Sequence, residues 1–123
     1  DMEHAYAFIV VDHEHRAYHP MRGGICARYD PKTKKLEKLP ITIDGKEPPK
    51  GISKDGSIQN WDISPDKKTL WCVEMTTNEL FSFDLTQKGE KFNGKSHGKL
   101  LDVKSTDCRA MCVAPDGRVW MAI

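Results

Sequence analysis

Apolar residues fall along this chain in short runs that alternate with polar ones every second position, and no stretch carries the stripe of a buried helix. "AYAFIVV" (5–11) and "CRAMCVA" (108–114) are apolar at both alternating sets of positions, as expected of strands covered on both faces. "TLWCVEM" (69–75) and "ELFSFDL" (79–85) are rich in aromatic and β-branched residues, which pack well on a pleated surface. Asp-Lys-Lys and Asp-Gly lie between such runs and supply tight turns. The nearest approach to a helix, "TKKLEKL", is too short and stops at Pro40.

The strand pattern repeats. Asp66 of "SPDKKTLW" and Asp116 of "APDGRVW" are 50 residues apart, and Trp71 and Trp120 are 49 apart, the second turn being one residue shorter. A fainter copy upstream, "FIVVDHEHRAYH", places Tyr18 53 residues before Trp71, and "ICARYD" places Tyr29-Asp30 54 residues before Phe83-Asp84. A period near 50 predicts a supersecondary unit written more than once.

Each unit reads as four antiparallel strands: 5–11, 16–20, 25–30 and 35–41 in the first; 60–64, 69–75, 79–85 and about 98–103 in the second. The third has only 108–114 and 118–123. The first strand of each unit is the most apolar and the fourth the most polar, which suits a β-propeller blade with a sandwiched inner strand and a solvent-facing outer one. The expected fold is therefore all-β, a partial propeller: blade one over 1–43, an inter-blade loop over 44–59, blade two over 60–104, and the inner half of blade three over 105–123. A β-sandwich is the rival, but it gives no reason for the period. Closed propellers use four to eight blades, so the chain reads as a piece of a longer propeller, or as a protomer that completes its ring with further copies of itself.

Composition narrows the function classes. With 19 Lys and Arg against 18 Asp and Glu the formal net charge is +1, which leaves no electrostatic footprint for nucleic acid. The basic run Lys32-Thr33-Lys34-Lys35 with Lys38 reads as a solvated hairpin edge. No apolar stretch approaches the ~20 residues of a membrane helix, and Asp1-Met2-Glu3-His4 is not a basic signal-peptide start. A soluble protein is expected, and a trimmed exported form would look the same. The four cysteines, at 26, 72, 108 and 112, form no CxxC motif. Cys108 and Cys112 on one strand would be separated by roughly 13 Å, too far to pair, so buried free thiols are expected. No glycine-rich nucleotide motif or nucleophile elbow is present.

"ISPDKKTLWCVEMTTNELFSFDL" and "VAPDGRVWMAI" resemble the blade repeats of six- and seven-bladed propellers built from SPDG-x-LW units. Two such groups are the gluconolactonase and senescence-marker family and the streptogramin (virginiamycin B) lyase family. The lactonase resemblance implies a divalent metal such as Ca²⁺, with Glu74 of "CVEM" at the metal carboxylate position. That family's metal-binding Asn falls at Gln59, one place before Asn60, and the corresponding position of the third unit is Arg109. In the lyase pattern "LWFTExxxNxI", Glu74 and Asn78 are both in place. Either resemblance makes a metal-assisted hydrolase or a lyase the alternative to a binding or scaffold module.

Propeller ligands bind at the channel end where loops enter the inner strand and leave the second. That geometry gathers His4, His19, Asn60, Glu74, Asp107 and Arg109 into a polar ring, with Arg22 near the end of the first unit's second strand. Glu74 and Asn60 would hold a cation through oxygen, and His4, His19 or Glu74 would supply acid–base chemistry. Asn60, Asp107, Arg109 and Arg22 would contact a small molecule or peptide, Arg109 clamping a carboxylate or phosphate. The same groups could instead hydrogen-bond one another and channel water. "DHEHRAYHP" sets His13 and His15 in the turn at the opposite end, where a solvated turn is expected.

Overall fold

The computed structural model describes residues 9–21, 23–53, 60–74, 77–102 and 110–122. They form an all-β protein. Its first strands are β1 (Val10–Val11), β2 (Ala17–Met21), β3 (Ile25–Asp30) and β4 (Lys35–Ile43). After a single helical turn, α1 (Lys50–Ser53), come β5 (Asn60–Ile63), β6 (Thr69–Val73), β7 (Glu79–Asp84) and β8 (Phe92–Lys99). A last pair follows, β9 (Ala110–Val113) and β10 (Val119–Ala122).

Strands β1 to β4 form one antiparallel meander and β5 to β8 a second. The outermost strand of each was expected to face water. Instead β4 and β8 pair in parallel over Ile41–Ile43 and Phe92–Gly94, joining the meanders into an eight-stranded sheet ordered β1-β2-β3-β4-β8-β7-β6-β5. Strand β4 changes partner at Pro40: β3 covers Lys35–Pro40 and β8 takes Ile41–Ile43. Proline brings no N–H to the ladder, so the switch falls where a ladder bond is missing anyway. At this seam the Asn93 side-chain oxygen Oδ1 accepts from the Thr42 hydroxyl at 2.7 Å and from the Gly45 N–H at 2.9 Å.

The sheet doubles over at the seam, and one face of each meander closes on the other. Tyr18, Cys26, Leu39, Ile41 and Ile43 from the first meander share a single core with Trp61, Leu70, Cys72, Phe81, Phe83 and Phe92 from the second. Within the second, Leu70 lies directly opposite Phe83 and Cys72 opposite Phe81, so period-two alternation sends all four to one side. Phe83 and Phe92 stack with centroids 4.4 Å apart, and Tyr18 tilts against Phe92 at 5.6 Å. Burial of each such ring contributes roughly 1.5–3 kcal/mol.

That stack explains why the fourth strand of the second meander is Phe92–Lys99 and not 98–103, and why 86–99 is not the exposed loop its polarity suggests. Phe92 and Gly94 face inward, and a Cβ at Gly94 would lie 2.6 Å from the Phe83 ring. Only glycine lets strand and ring approach this closely. In the segment expected to be an inter-blade loop, α1 buries Ile52 to 1 % exposure. The lysine-rich hairpin edge, 31–38, is exposed throughout as expected.

Three hairpin turns share one hydrogen-bond plan. The Asp12 N–H donates to the Arg16 carbonyl, Ser64 N–H to Thr69, and Ala114 N–H to Arg118. Inside each, a left-handed residue (His15, Lys67 or Gly117) donates back to the first residue's carbonyl. An aspartate folds over each turn: Asp12 Oδ1 accepts the N–H groups of Glu14 and Arg16, Asp66 that of Lys68, and Asp116 that of Arg118. The middle turn holds one extra residue, which is the source of the 49-residue tryptophan spacing. Tyr18, Trp71 and Trp120 each stand two residues beyond the carbonyl that closes their turn.

"DHEH" is not a wholly solvated turn, because Asp12 is buried at 1 % exposure. Its carboxylate takes the Tyr18 hydroxyl at 2.9 Å and Arg16 Nε at 2.8 Å. Arg16 Nη2 then donates to the Leu85 carbonyl at 2.8 Å, and the His13 N–H to the Lys67 carbonyl at 3.1 Å. The first turn is thereby bonded to the second meander.

Candidate functional site

The site candidates on β5 and β6 meet at one end of the second meander. Asn60 opens β5 opposite Val73, and Glu74 follows Val73 where β6 turns toward β7. The turn closes by Glu74 N–H to the Glu79 carbonyl at 3.0 Å and Asn78 N–H to the Glu74 carbonyl at 2.9 Å. The Glu74 carboxylate bends back into it, Oε2 accepting the Thr77 N–H at 2.6 Å. Asn78 completes it at φ 54°, in the left-handed region that asparagine tolerates better than most residues. The Glu-x-x-x-Asn spacing that carries the lyase resemblance thus has a structural job: a carboxylate cap and a left-handed corner.

Burial makes this end chemically unusual. Glu74 is 0 % exposed, Asn78 1 % and Asn60 9 %. The Asn78 side-chain oxygen is buried and accepts no hydrogen bond, and the buried Thr77 hydroxyl and Trp61 indole N–H are also without partners. A buried polar atom left without a partner costs roughly 1–3 kcal/mol, and such orphans invite a functional explanation. The Asn78 amide oxygen is an acceptor in the same turn as the Glu74 carboxylate, and oxygens of both kinds suit a cation or N–H and O–H donors.

The other candidates are distributed differently. His19 stands mid-strand in β2 opposite Ala27, between buried Tyr18 and Pro20, and so lies on the first meander's outer face, away from the shared core. The structure does not bring it to Asn60 and Glu74. His4, Arg22, Asp107 and Arg109 lie outside the described residues. Among the described residues no group of three His, Cys, Asp or Glu is gathered as a metal site.

Two features escaped the sequence reading. Asn78 was noted for its place in a motif, not for its orphan oxygen. The Ser82 hydroxyl and His97 Nε2 lie 2.7 Å apart on β7 and β8, with the His97 ring 5.2 Å from Trp71. Neither is visible in the sequence, where 86–99 is polar and glycine-rich. Of the cysteines, Cys26 and Cys72 are buried and free as expected, whereas Cys112 is free but exposed. Burial pushes the Cys26 thiol up to about 12 and raises Cys72 as well.

No protein-family model, curated protein or solved structure matches this chain.

Proposed function

We propose that this chain supplies blades to a β-propeller that works as a binding module, with its ligand at the end where Asn60, Glu74 and Asn78 gather. The two four-stranded meanders, the third hairpin and the shared turn plan support the propeller reading. The β4–β8 seam is an addition that a plain blade stack does not need.

The observation that carries the binding reading is the buried, unpartnered side-chain oxygen of Asn78 in the turn that the buried Glu74 opens. Acceptors at low dielectric favour a ligand bearing positive charge or several donors: an amine or guanidinium on a small molecule or peptide, or a divalent cation. The metal-assisted hydrolase or lyase would draw on the same Glu74 and Asn60. The orphan Asn78 oxygen supports binding and carries no chemical step, so the proposal stops at binding.

Calorimetric titration with methylguanidinium chloride and with calcium chloride tests it and separates the two ligand sources. Asn78→Gly is the informative variant, because glycine keeps the left-handed corner while deleting the side-chain oxygen. Saturable binding of either probe that weakens at least tenfold in Asn78→Gly supports the proposal. No binding, or binding indifferent to that change, refutes it.

A further inference from the structure

Strands β7 and β8 set a serine against a histidine. Ser82 lies between the buried Phe81 and Phe83, so alternation points it away from the shared core. Its hydroxyl stands 2.7 Å from His97 Nε2 on the neighbouring strand. Trp71 in β6 pairs directly with Ser82 on one side, and Lys95 in β8 pairs directly with it on the other. The four side chains share one patch of the second meander's outer face. None of them belongs to the Asn60–Glu74–Asn78 end.

The contact between Ser82 and His97 has the form of a nucleophile held by its base. With the ring proton on Nδ1, Nε2 accepts the Ser82 O–H, the alignment that proton removal requires. The two neighbours favour the charges such a transfer creates. The His97 ring lies 5.2 Å from the Trp71 ring at an interplanar angle of 37°. A cation within about 6 Å of an indole centroid is attracted by the π-system, so Trp71 favours the imidazolium over the neutral ring. Directly paired residues on one face have Cβ atoms roughly 5 Å apart. The Lys95 ammonium therefore reaches an oxyanion formed on a carbonyl at Ser82.

We infer that Ser82 is a nucleophile for acyl transfer with His97 as its general base. Ser82 Oγ attacks the acyl carbon while its proton passes to His97 Nε2, and the carbonyl electron pair moves onto oxygen as an oxyanion beside Lys95. Collapse re-forms the carbonyl and breaks the bond to the leaving oxygen, which departs with the proton from His97. An acyl ester on Ser82 remains. Water then attacks that ester, giving a proton to His97; the carboxylic acid is released, and Ser82 recovers its hydroxyl as His97 returns the proton. One imidazole and one ammonium stabilise part of the developing charge, so the leaving group must accept its electron pair readily. The substrate class is an activated ester, a short acyl group on an aryl alcohol.

p-Nitrophenyl acetate tests this on the full chain, with acid quenching and peptide mass spectrometry to locate the acetyl group. The wild type is expected to carry acetyl on Ser82. His97→Gln keeps a hydrogen-bonding partner for Ser82 and removes the base, so it should slow Ser82 acetylation by about a hundredfold, the lower end of general-base effects. Ser82→Ala should remove that label and leave chance acetylation of surface lysines unchanged. His97 is exposed and Ser82 half-buried, and circular dichroism checks that both variants keep the fold; His97→Asn replaces the glutamine variant if that one does not. Acetyl found on lysines alone, or on Ser82 at the same rate in His97→Gln, overturns the inference.

Discussion

Arg16 and Leu85 belong to different meanders, yet the Arg16 Nη2 donates to the Leu85 carbonyl at 2.8 Å. The guanidinium reaches that carbonyl because Asp12 holds it from the other side, Oδ2 accepting Arg16 Nε at 2.8 Å while also taking the Tyr18 hydroxyl. Asp12 is the hub: one buried carboxylate that folds its own turn, fixes the arginine and satisfies a buried phenol. Asp12→Ala would leave both partners without their acceptor, and a cost of about 3–5 kcal/mol is expected. Urea denaturation of the variant measures it; a loss under about 1 kcal/mol would remove Asp12 from that role.

The same hub sets an acid limit. Burial pushes the Asp12 carboxyl up, but the hydrogen bonds from the Arg16 N–H, the Tyr18 hydroxyl, the Glu14 N–H and the Arg16 side chain outweigh it and leave its pKa below the ordinary value. A carboxylate depressed in the folded state contributes stability that is fully present above its unfolded pKa of about 3.9 and is lost as pH falls through the folded value. Stability should therefore drop on acidification from about pH 5 downward, and Asp12→Asn should flatten part of that slope. Urea midpoints measured across this range check it, and equal slopes for both proteins would contradict it.

Gly94 tests the close stack at the seam. A Cβ there would stand 2.6 Å from the Phe83 ring, too near for any ordinary contact. Gly94→Ala should force Phe83 off its stack with Phe92 and destabilise by about 1–3 kcal/mol. Pairing it with Phe83→Leu, which removes the ring edge, should recover part of the loss; strict additivity in the double-mutant cycle would argue against the contact.

Thiol reactivity reads the stack from another side. In a Cys108→Ser background, exposed Cys112 should react with a maleimide in the native state, while Cys26 and Cys72 react only on unfolding. Fast native modification of Cys72, which is 0 % exposed, would mean that the shared core opens.

The hairpins were legible because large apolar residues alternate on them with turn residues at fixed offsets: Trp71 after Asp66, Trp120 after Asp116. Strand β8 was not, since "FNGKSHGK" holds one large apolar residue and two glycines. Its assignment depends on Phe92 finding Phe83, a contact no local window contains. The β4–β8 seam was hidden for a similar reason: it joins residues 51 apart in a parallel register, and only the apolar tail Ile41–Ile43 hinted that β4 continues. At the candidate site Asn60 and Glu74, both singled out from the sequence, lie at one end of the second meander. The sequence could not show the orphan oxygen of Asn78, because satisfaction of a buried atom is a property of the folded surroundings and not of spacing.

That oxygen is where the functional account is most exposed. The side-chain amide protons of Asn78 report directly on it in a ¹⁵N–¹H correlation spectrum, since any ligand that engages the carbonyl polarises the attached NH₂. On titration with methylguanidinium or calcium chloride, the account predicts a saturable shift of the Asn78 side-chain pair, accompanied by the Thr77 backbone amide that Glu74 caps. If both signals stay fixed while the protein remains folded, the Asn60–Glu74–Asn78 end is a closed structural corner and the binding site proposed for it does not exist.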